Sequence, residues 1–508
     1  MDKLHEYQKL YGTAKEIYDS LYTYRESMEA QWRDCSELTL PYVFPDEDRA
    51  ESDRLPTPFN SIGPSAVNAL ASKLLLALVP PTGNFFRLLP NKSDLEGYSP
   101  EELTEIDKKL SELEQDVIEL INLQALRVPL YEALKLLIIT GNTMLYKVPG
   151  GSFKVFNPYQ YVVQRDYVGN PVTMAIVEKI SKKALPSAIV ELVTNEDNMV
   201  YQPKDSSNKD DLEVYTAICR KDAKNFLVWQ EINGVLIPST VKTYKKEKLP
   251  YLPLRWAAIN NSDYGIGLVE QHLGDLRSLE GLTQMIVEGG SIMAKTVFGL
   301  RPASSTSLED LNNAANGECI LGDLEKDITV LTTNKATDLQ VPYSLMNTLE
   351  QRLSKAFLMF SGQVRDSERT TASEVRLVAS ELEATLGGTY SVLSQELQLP
   401  TLVLLLDELE PAVLETTTPS ISTGISAISR ERDFQNLNVM ASTIAQFGPE
   451  VLSQYLKLDG YFSQIATALG INPDLIVKSQ EEIQGERDRQ LQEQLALQQQ
   501  QGAMTNGM

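Results

Sequence analysis

The sequence has too little histidine and cysteine for most metal and redox chemistry. Among its 508 residues the only histidines are His5 and His272, so acid–base or zinc chemistry that depends on histidine has almost no material. The three cysteines, Cys35, Cys219 and Cys319, stand far apart and match neither a disulfide framework nor a zinc-binding pattern. They are typical of buried thiols in a reducing compartment.

The motifs of the common enzyme classes are also missing. The sequence contains no G-x-x-x-x-G-K-[ST] phosphate loop, no G-x-S-x-G and no H-E-x-x-H, and the G-I-G at 265–267 lacks the third glycine of a dinucleotide-binding fingerprint. No apolar run reaches the roughly 18 residues of a membrane-spanning helix, and the amino terminus lacks the apolar core of a signal peptide. We therefore expect a protein that is not an enzyme, has no contact with a membrane, and is made and used in cytoplasm or inside a particle assembled there.

Positive charge is scarce. The sequence has 46 basic and 69 acidic residues, a formal net charge of −23, which argues against a protein that binds nucleic acid by coating itself in positive charge. Any contact with DNA is expected to be loose or confined to a small basic spot. The acidic clusters at 46–48 and 481–482 could hold a divalent cation, but solvated surface charge is the preferred interpretation, so neither a metal site nor a cofactor is predicted.

Helical and strand patterns divide the amino-terminal half. Apolar spacings of three and four residues predict helices over 13–36, 65–79, 101–123 and 129–141. From about 145 to 256 the pattern changes to strands separated by turn signals. These strands are YKV, FKVFN, YVVQRD, VTMAIVEKI, LEVYTAICR, NFLVWQEI and GVLI. The overall prediction is an α+β protein that is predominantly helical.

The centre of the chain, residues 265–397, predicts two helices that bracket about fifty residues of different composition. The first helix is predicted from Gly265 to the Gly289-Gly290 pair, and the second over 343–360, with Gly362 as its stop. The apolar face of the first helix consists of Val269, Leu273, Leu276, Leu279, Leu282 and Ile286. That of the second consists of Met346, Leu349, Leu353, Phe357 and Phe360. By spacing alone, this is an ordinary helical hairpin that carries an insertion.

A polar loop with several arginines follows the second helix. Thr371 and Glu374 have the spacing of a capping box at the start of a third helix. The basic residues in and before this loop are Arg352, Lys355, Arg365, Arg369 and Arg376. Because Asp366, Glu368 and Glu374 are interleaved with them, plain surface charge is the alternative to a binding role.

Several long stretches of the sequence carry a resemblance to a known family. Near the amino end these are LTLPYVFP, LASKLLLALVPPTGNFFRL, LYEALKLLIITGNTMLY and YVVQRDYVGNP; further on they are YGIGLVEQHLGDLRSLEGL, ASEVRLVASELEATLGGTYSVLSQELQLP and ISTGISAISR. They resemble the portal, or head-to-tail connector, proteins of T7-like short-tailed bacteriophages, and they occur in the same order as in that family, from about residue 13 to about residue 475. Resemblance weakens after about residue 430.

The resemblance implies the portal fold, in which wing, stem, clip and crown assemble as a ring. It places the wing at 1–264, the first stem helix at 265–292, the clip at 293–338, the second stem helix at 339–362, the tunnel loop and a long wing helix at 363–398, the crown at 399–478, and a Gln-rich tail, predicted to be disordered, at 479–508. Arg365, Arg369, Arg376, Lys355 and Arg352 would then face DNA in the tunnel loop and stem. His272 is expected to be structural or interfacial.

The function implied is that of a portal vertex protein. Twelve copies would form a channel for packaging and ejection of double-stranded DNA, located in the virion at the capsid portal vertex and assembled in the host cytoplasm. The implied partners are the major capsid protein, the scaffolding protein, the large terminase subunit, the tail adaptor protein and the internal core proteins. The alternatives are another phage neck or tail structural protein, and an uncharacterised enzyme.

Overall fold

The structure is a computed structural model that mixes helices with strands, as predicted. It describes residues 11–45, 53–81, 85–90, 100–194, 211–294, 297–302, 307–313, 315, 328–331, 336–359, 378, 381–382, 384–421, 437, 439–443, 446, 460–462 and 465. The predicted tunnel loop, with Arg365, Arg369 and Arg376, and the predicted tail lie outside these ranges. Cys319, both acidic clusters, the Thr371–Glu374 capping box and most of the predicted crown also lie outside them.

The amino-terminal half contains the predicted elements in the predicted order, together with one helix and five strands, β1 and β9 to β12, that were not predicted. Its elements are α1 (Ala14–Glu37), α2 (Ile62–Leu78), β1 (Phe86–Pro90), α3 (Pro100–Leu123), α4 (Arg127–Thr140), β2 (Asn142–Lys147), β3 (Phe153–Phe156), β4 (Tyr161–Arg165), β5 (Pro171–Ser181), α5 (Ser187–Thr194), β6 (Asp211–Arg220), β7 (Asn225–Ile232), β8 (Val235–Leu236), β9 (Lys242–Lys245), β10 (Tyr251–Arg255), β11 (Ala257–Ala258) and β12 (Gly265–Ile266). The seven predicted strands correspond to β2 to β8. Helix α5 was not anticipated among the strands.

Strands β4 to β9 form one antiparallel sheet. Its order is β4-β5-β6-β7-β8, and β9 pairs with the first half of β7. Successive residues of a strand point to opposite faces of the sheet, and each face has its own apolar core. Tyr161 lies in one core with Trp32 of α1, and Val162 lies in the other with Tyr18 of α1. Helix α1, capped by a reciprocal pair of hydrogen bonds between Thr13 and Glu16, therefore lies against this sheet.

The largest core joins the helices to a smaller sheet of order β10-β2-β3. Helices α2 and α4 pack on each other, and their buried residues Leu70, Leu74, Leu134 and Leu137 lie in this core. The turn between α4 and β2 needs glycine at 141, because φ is +76° and a Cβ would lie 2.4 Å from backbone atoms of 266 and 267. This turn brings the start of the central hairpin against the core.

The central hairpin starts later than the sequence pattern predicts. Its elements are α6 (Leu268–Gln271), α7 (Leu273–Ala294), β13 (Val297–Leu300), α8 (Leu308–Asn313), β14 (Ile328–Leu331) and α9 (Ala336–Ala356). Gly265 does not begin a helix: it lies in β12, paired with β11, and both its amide and its carbonyl bond the Asn142 side chain at 2.7 and 2.8 Å. The predicted start at 265 was wrong because these tertiary hydrogen bonds hold the backbone extended.

The two predicted helix ends were also wrong. Gly289 and Gly290 lie inside α7, where the Leu339 side chain of α9 packs within 3.5 Å of the Cβ position of Gly289; helix packing outweighs the roughly 1 kcal/mol penalty of a helical glycine. Helix α9 ends at Ala356 rather than at 360, because Leu358 adopts a left-handed conformation with φ +57°. In the predicted clip, β13 and β14 form an antiparallel pair.

The chain then returns to the main body. Its last elements are α10 (Gly388–Leu393), a π-helical turn at Ser394–Gln398, α11 (Leu399–Leu409), α12 (Val413–Thr416) and β15 (Thr417–Ile421). Strand β15 pairs with β1, and Leu402, Leu405 and Leu406 of α11 lie in the same core as Val117 of α3. Residues 399–421, assigned to the crown by resemblance, thus share a core with the amino-terminal half.

Two thiols are buried, as predicted. Cys35 and Cys219 are free cysteines, and burial raises the pKa of each thiol to about 12. Both are therefore protonated and unreactive at neutral pH. Within the described ranges, no helix combines the length and the apolar composition that crossing a membrane requires.

Candidate functional site

The candidate site is the hairpin formed by α7 and α9. The two helices pack against each other through apolar residues that the spacing predicts, with Leu276 and Leu279 on α7 and Leu349 and Leu353 on α9 all buried. We call the half of the hairpin nearest the body, residues 273–283 and 347–357, its root. The remainder, residues 284–294 and 336–346, is its distal half.

The segment before α2 joins the two helices of the root. The Glu280 carboxylate accepts hydrogen bonds from the backbone amides of Phe59 and Asn60, at 2.7 and 3.1 Å. The Asn60 side-chain amide donates to Thr283 on α7 and to Glu350 on α9, each at 3.1 Å. One side chain therefore fixes both helices relative to the body.

Two further contacts involve α1. Arg277 of α7 forms an ion pair with Asp34, and Gln31 donates to Glu270 of α6 at 2.9 Å. Both contacts are exposed, so each adds little to stability by itself. Together with Asn60, they orient α6 and the first half of α7 relative to α1 and the main body.

A buried lysine holds the end of α9. The Lys73 ammonium donates to the backbone carbonyl of Leu358 at 2.5 Å and lies 3.7 Å from the Glu381 carboxylate. Lys73 is only 7% exposed; burial lowers its pKa, while Glu381 opposes that shift. Since Leu358 and Glu381 flank residues 359–380, this lysine connects the chain on both sides of the predicted tunnel loop.

His272 lies at the break between α6 and α7. Its ring contacts the ring of Phe357, with 5.7 Å between centroids. Burial lowers the pKa of His272, and nearby Arg352 lowers it further, against the opposing effect of Asp275. The neutral imidazole is therefore favoured in the folded state, which agrees with the expected structural role.

Two of the five residues predicted to face DNA, Arg352 and Lys355, lie in the part of the chain that the structure describes, and they share one face of α9. Arg352 is exposed and forms an ion pair with Asp275 of α7 at 2.9 Å. Lys355, three residues further along, is also exposed. The Arg352 charge is thus partly neutralised within the hairpin, whereas Lys355 extends from its surface.

The distal half exposes apolar side chains. Met285, Val287, Val341, Tyr343 and Leu345 are between 43% and 71% exposed. In this half the sequence carries no lysine or arginine, and its acidic residues are Glu288 and Asp338. An apolar, almost uncharged surface of this kind is typical of a protein–protein contact.

The residues that fix the root were missed by sequence reasoning. Lys73 has a visible signal, since it is the one charged residue within the apolar run SAVNALASKLLLALV, and a lysine at such a position needs a partner. Asn60 and Glu280 have no such signal. These two residues contact each other although they lie 220 residues apart in the chain, and no local sequence pattern can indicate such a contact.

Comparisons with known proteins identify the family. The model of the family described as "Bacteriophage head to tail connecting protein" matches residues 11–477. The "Portal protein" of Escherichia phage T7 is 36% identical over 97% of this chain and 92% of its own length, and that of Enterobacteria phage T3 is 35% identical over 93% and 89%.

Among solved structures, "Neck of empty GTA particle computed with C6 symmetry" aligns with 82% of this chain and 91% of its own, at 11% identity and a TM-score of 0.39; that similarity is too low to support an argument. The family model and the two relatives span almost the whole sequence. The expectation from the resemblance is therefore confirmed, and the chain belongs to the family of bacteriophage head to tail connecting proteins.

Proposed function

We propose that this protein is the subunit of a portal ring, at one vertex of a phage capsid, through which double-stranded DNA is packaged and later ejected. The observation that carries the proposal is the division of the α7–α9 hairpin. Its root is fixed to the body by Asn60, Glu280 and Lys73, while its distal half exposes an apolar surface. A second copy of the chain is the natural partner for that surface.

A ring also fits the charge of the chain. Subunits with a net charge of −23 repel each other unless their contact surfaces are locally uncharged or complementary. The distal half of the hairpin is almost uncharged, so copies can approach there. Head-to-tail contacts that close on rotation produce a ring, and the resemblance implies twelve copies.

The DNA contact in this proposal is weak. Arg352 and Lys355 on α9, together with Arg365, Arg369 and Arg376 after it, would meet phosphates, and the acidic surroundings would keep the duplex from adhering. Base readout would oppose movement of DNA through a channel, because sequence-specific contacts would hold the duplex at preferred positions. The subunit's contribution is geometric rather than catalytic.

The partners follow from the place of such a ring in a virion. The clip would dock the large terminase subunit and then the tail adaptor, and the wing would meet the major capsid and scaffolding proteins during assembly in the host cytoplasm. The crown would face the internal core proteins. Because 399–421 packs in the main body, we place the start of the crown after residue 421.

Native mass spectrometry of the purified full chain, with negative-stain images of the same sample, tests the proposal. We expect closed rings of about twelve subunits with a central hole. The variant Leu345→Ser, on the exposed distal surface, should shift the population toward monomers, whereas Tyr24→Ser, an exposed residue of α1, should not. A chain that stays monomeric at high concentration would overturn the proposal that copies of this chain alone form a ring through the distal half of the hairpin.

A further inference from the structure

One end of the six-stranded sheet is basic, although the protein as a whole is acidic. Three segments meet there: the β4–β5 turn at 166–170, the β6–β7 turn at 220–225, and residues 242–248. The three segments carry seven basic and three acidic residues, and Asp407 forms an ion pair with Lys248 from outside them, which leaves a formal excess of three positive charges. These residues are Arg220, Lys221, Lys224, Lys242, Lys245, Lys246 and Lys248, and Asp166, Asp222, Glu247 and Asp407. We call this surface the basic end.

Hydrogen bonds between the three segments make the basic end one connected surface. Arg220 donates to the Asp166 carboxylate at 3.1 Å. The Lys246 amide donates to the Lys224 carbonyl at 2.7 Å, and the Lys246 ammonium lies 3.3 Å from the Asn170 side-chain oxygen. The spacing of the positive charges is therefore set by the fold rather than by a flexible tail.

Two of its four carboxylates are used inside the turns. Asp166 accepts hydrogen bonds from the backbone amides of Val168 and Asn170; although desolvation opposes this, those bonds and Arg220 lower the pKa of Asp166 to about 2. Asp222 accepts from the backbone amides of Lys224 and Asn225. Both carboxylates thus accept hydrogen bonds from their own turns, while Lys224, Lys245 and Lys246 have exposed side chains.

Protection of a sheet edge explains only part of this charge. Strand β9 lies at an edge of the sheet, where lysine prevents edge-to-edge pairing, and this accounts for Lys242 and Lys245. Lys224 lies on a turn and Lys246 follows the strand, where there is no open edge to protect. A concentration of positive charge on rigid turns, in a chain of net charge −23, indicates a polyanionic ligand.

We propose that the basic end binds the phosphate backbone of duplex nucleic acid outside the channel. Lysine suits this ligand, because an ammonium on a flexible stem meets phosphates as a point charge without reading sequence. No helix with a basic exposed face accompanies these turns among the described residues, so the contact would be independent of base sequence. The surface would hold DNA loosely against the outside of the wing.

Covalently closed circular plasmid DNA provides the test. A closed duplex has no free end and cannot thread a closed ring, so its binding reports an outer surface and not the channel. The double variant Lys224→Gln/Lys246→Gln is compared with Lys179→Gln/Lys183→Gln, which removes two exposed lysines at the opposite end of the same sheet. At low salt we expect the first variant to bind about tenfold more weakly and its salt slope to fall by about two, while the second matches the unchanged protein.

A fluorescent reporter locates the contact. Tyr167 is 99% exposed at the tip of the β4–β5 turn, whereas the native Trp32, Trp229 and Trp256 are each 2% exposed. In Tyr167→Trp the introduced indole should therefore respond to plasmid, and the response should disappear when Lys224→Gln and Lys246→Gln are added.

Equal plasmid binding by both double variants would overturn the proposal. So would a loss of ring assembly in Lys224→Gln/Lys246→Gln with plasmid binding unchanged, because the basic end would then be a contact for an acidic surface of the adjacent copy. Native mass spectrometry of each variant separates these outcomes. In isolated subunits plasmid could also reach the predicted channel residues, but the difference between the two double variants would still report the basic end. Failure of the ring proposal would therefore not be mistaken for failure of this one.

Discussion

The root of the α7–α9 hairpin buries its apolar residues, whereas the distal half leaves several of them exposed. At the root, Leu353 and Phe357 are 1% exposed and lie in the main core. In the distal half of the same helix, Val341 and Leu345 remain 71% and 48% exposed. One chain is therefore sufficient to stabilise the root, and the distal half needs a partner, which we propose to be another copy of the chain.

The largest expected difference in stability is between two leucine-to-alanine substitutions, one in each half of the hairpin. Leu353→Ala should lower the free energy of unfolding by about 3 kcal/mol, because it leaves a cavity in the core. Leu345→Ala should change it by less than about 0.5 kcal/mol, since the side chain is largely exposed in one chain. Denaturant unfolding at a concentration where the chain is monomeric measures both.

Ring formation should show the opposite order. Leu345→Ala should weaken assembly more than Leu353→Ala does, once the latter is compared at a temperature where it is folded. If Leu345→Ala assembles like the unchanged chain, the distal half is not a contact between subunits.

The next effect in size is at the end of α9. Lys73→Met should lower the free energy of unfolding by about 2 kcal/mol, because it removes the donor to the Leu358 carbonyl and leaves Glu381 without this cation. Lys355 is an exposed lysine of α9, and Lys355→Met should change the free energy of unfolding by less than about 0.5 kcal/mol. Thermal unfolding by circular dichroism compares the two variants. Equal melting temperatures would show that Lys73 does not fix the root.

A smaller effect is expected at Asn60. Asn60→Ala removes the hydrogen bonds to Thr283 and Glu350 and should lower the free energy of unfolding by about 1 kcal/mol. Gln340→Ala, which removes an exposed amide from the distal half, serves as the matched control and should have almost no effect. Hydrogen exchange of α7 amides would add a local measurement, with faster exchange near Thr283 in Asn60→Ala alone.

The smallest effect is a pH dependence at His272. Its pKa lies below the ordinary value of 6.5 in the folded chain, so the unfolded chain takes up a proton first as the pH falls. Stability should therefore decrease as the pH falls from 7 through 6.5 toward the lower folded pKa, and this decrease should be smaller in His272→Gln. Unfolding curves at pH 7.5 and 5.5 measure it. Identical slopes in both proteins would show that His272 does not titrate differently on folding.

Most elements could be predicted from the sequence because their side chains follow one period over many residues. Helix α1 was predicted over 13–36 and lies at Ala14–Glu37, and the seven predicted strands all occur. The errors fall where a distant contact decides the backbone. Gly265 is held extended by Asn142, and the chain leaves α9 before Leu358, whose carbonyl is bonded by Lys73.

The candidate site was only partly predictable for the same reason. Arg352 and Lys355 were identified from their charge and position on a helix, and both lie exposed on α9. The ion pair of Arg352 with Asp275 could not be predicted, because it depends on how α7 and α9 are aligned. Arg365, Arg369 and Arg376 stay a prediction.

The sequence by itself determined the family, the two hairpin helices and their apolar faces, since periodicity and residue identity are local properties of the chain. Only the tertiary structure decided which part of the hairpin is fixed and which part is exposed. Asn60 and Lys73 reach partners more than 220 residues away, and the turns of the basic end come together only through sheet pairing. Such contacts depend on chain geometry over long separations, which residue spacing does not encode.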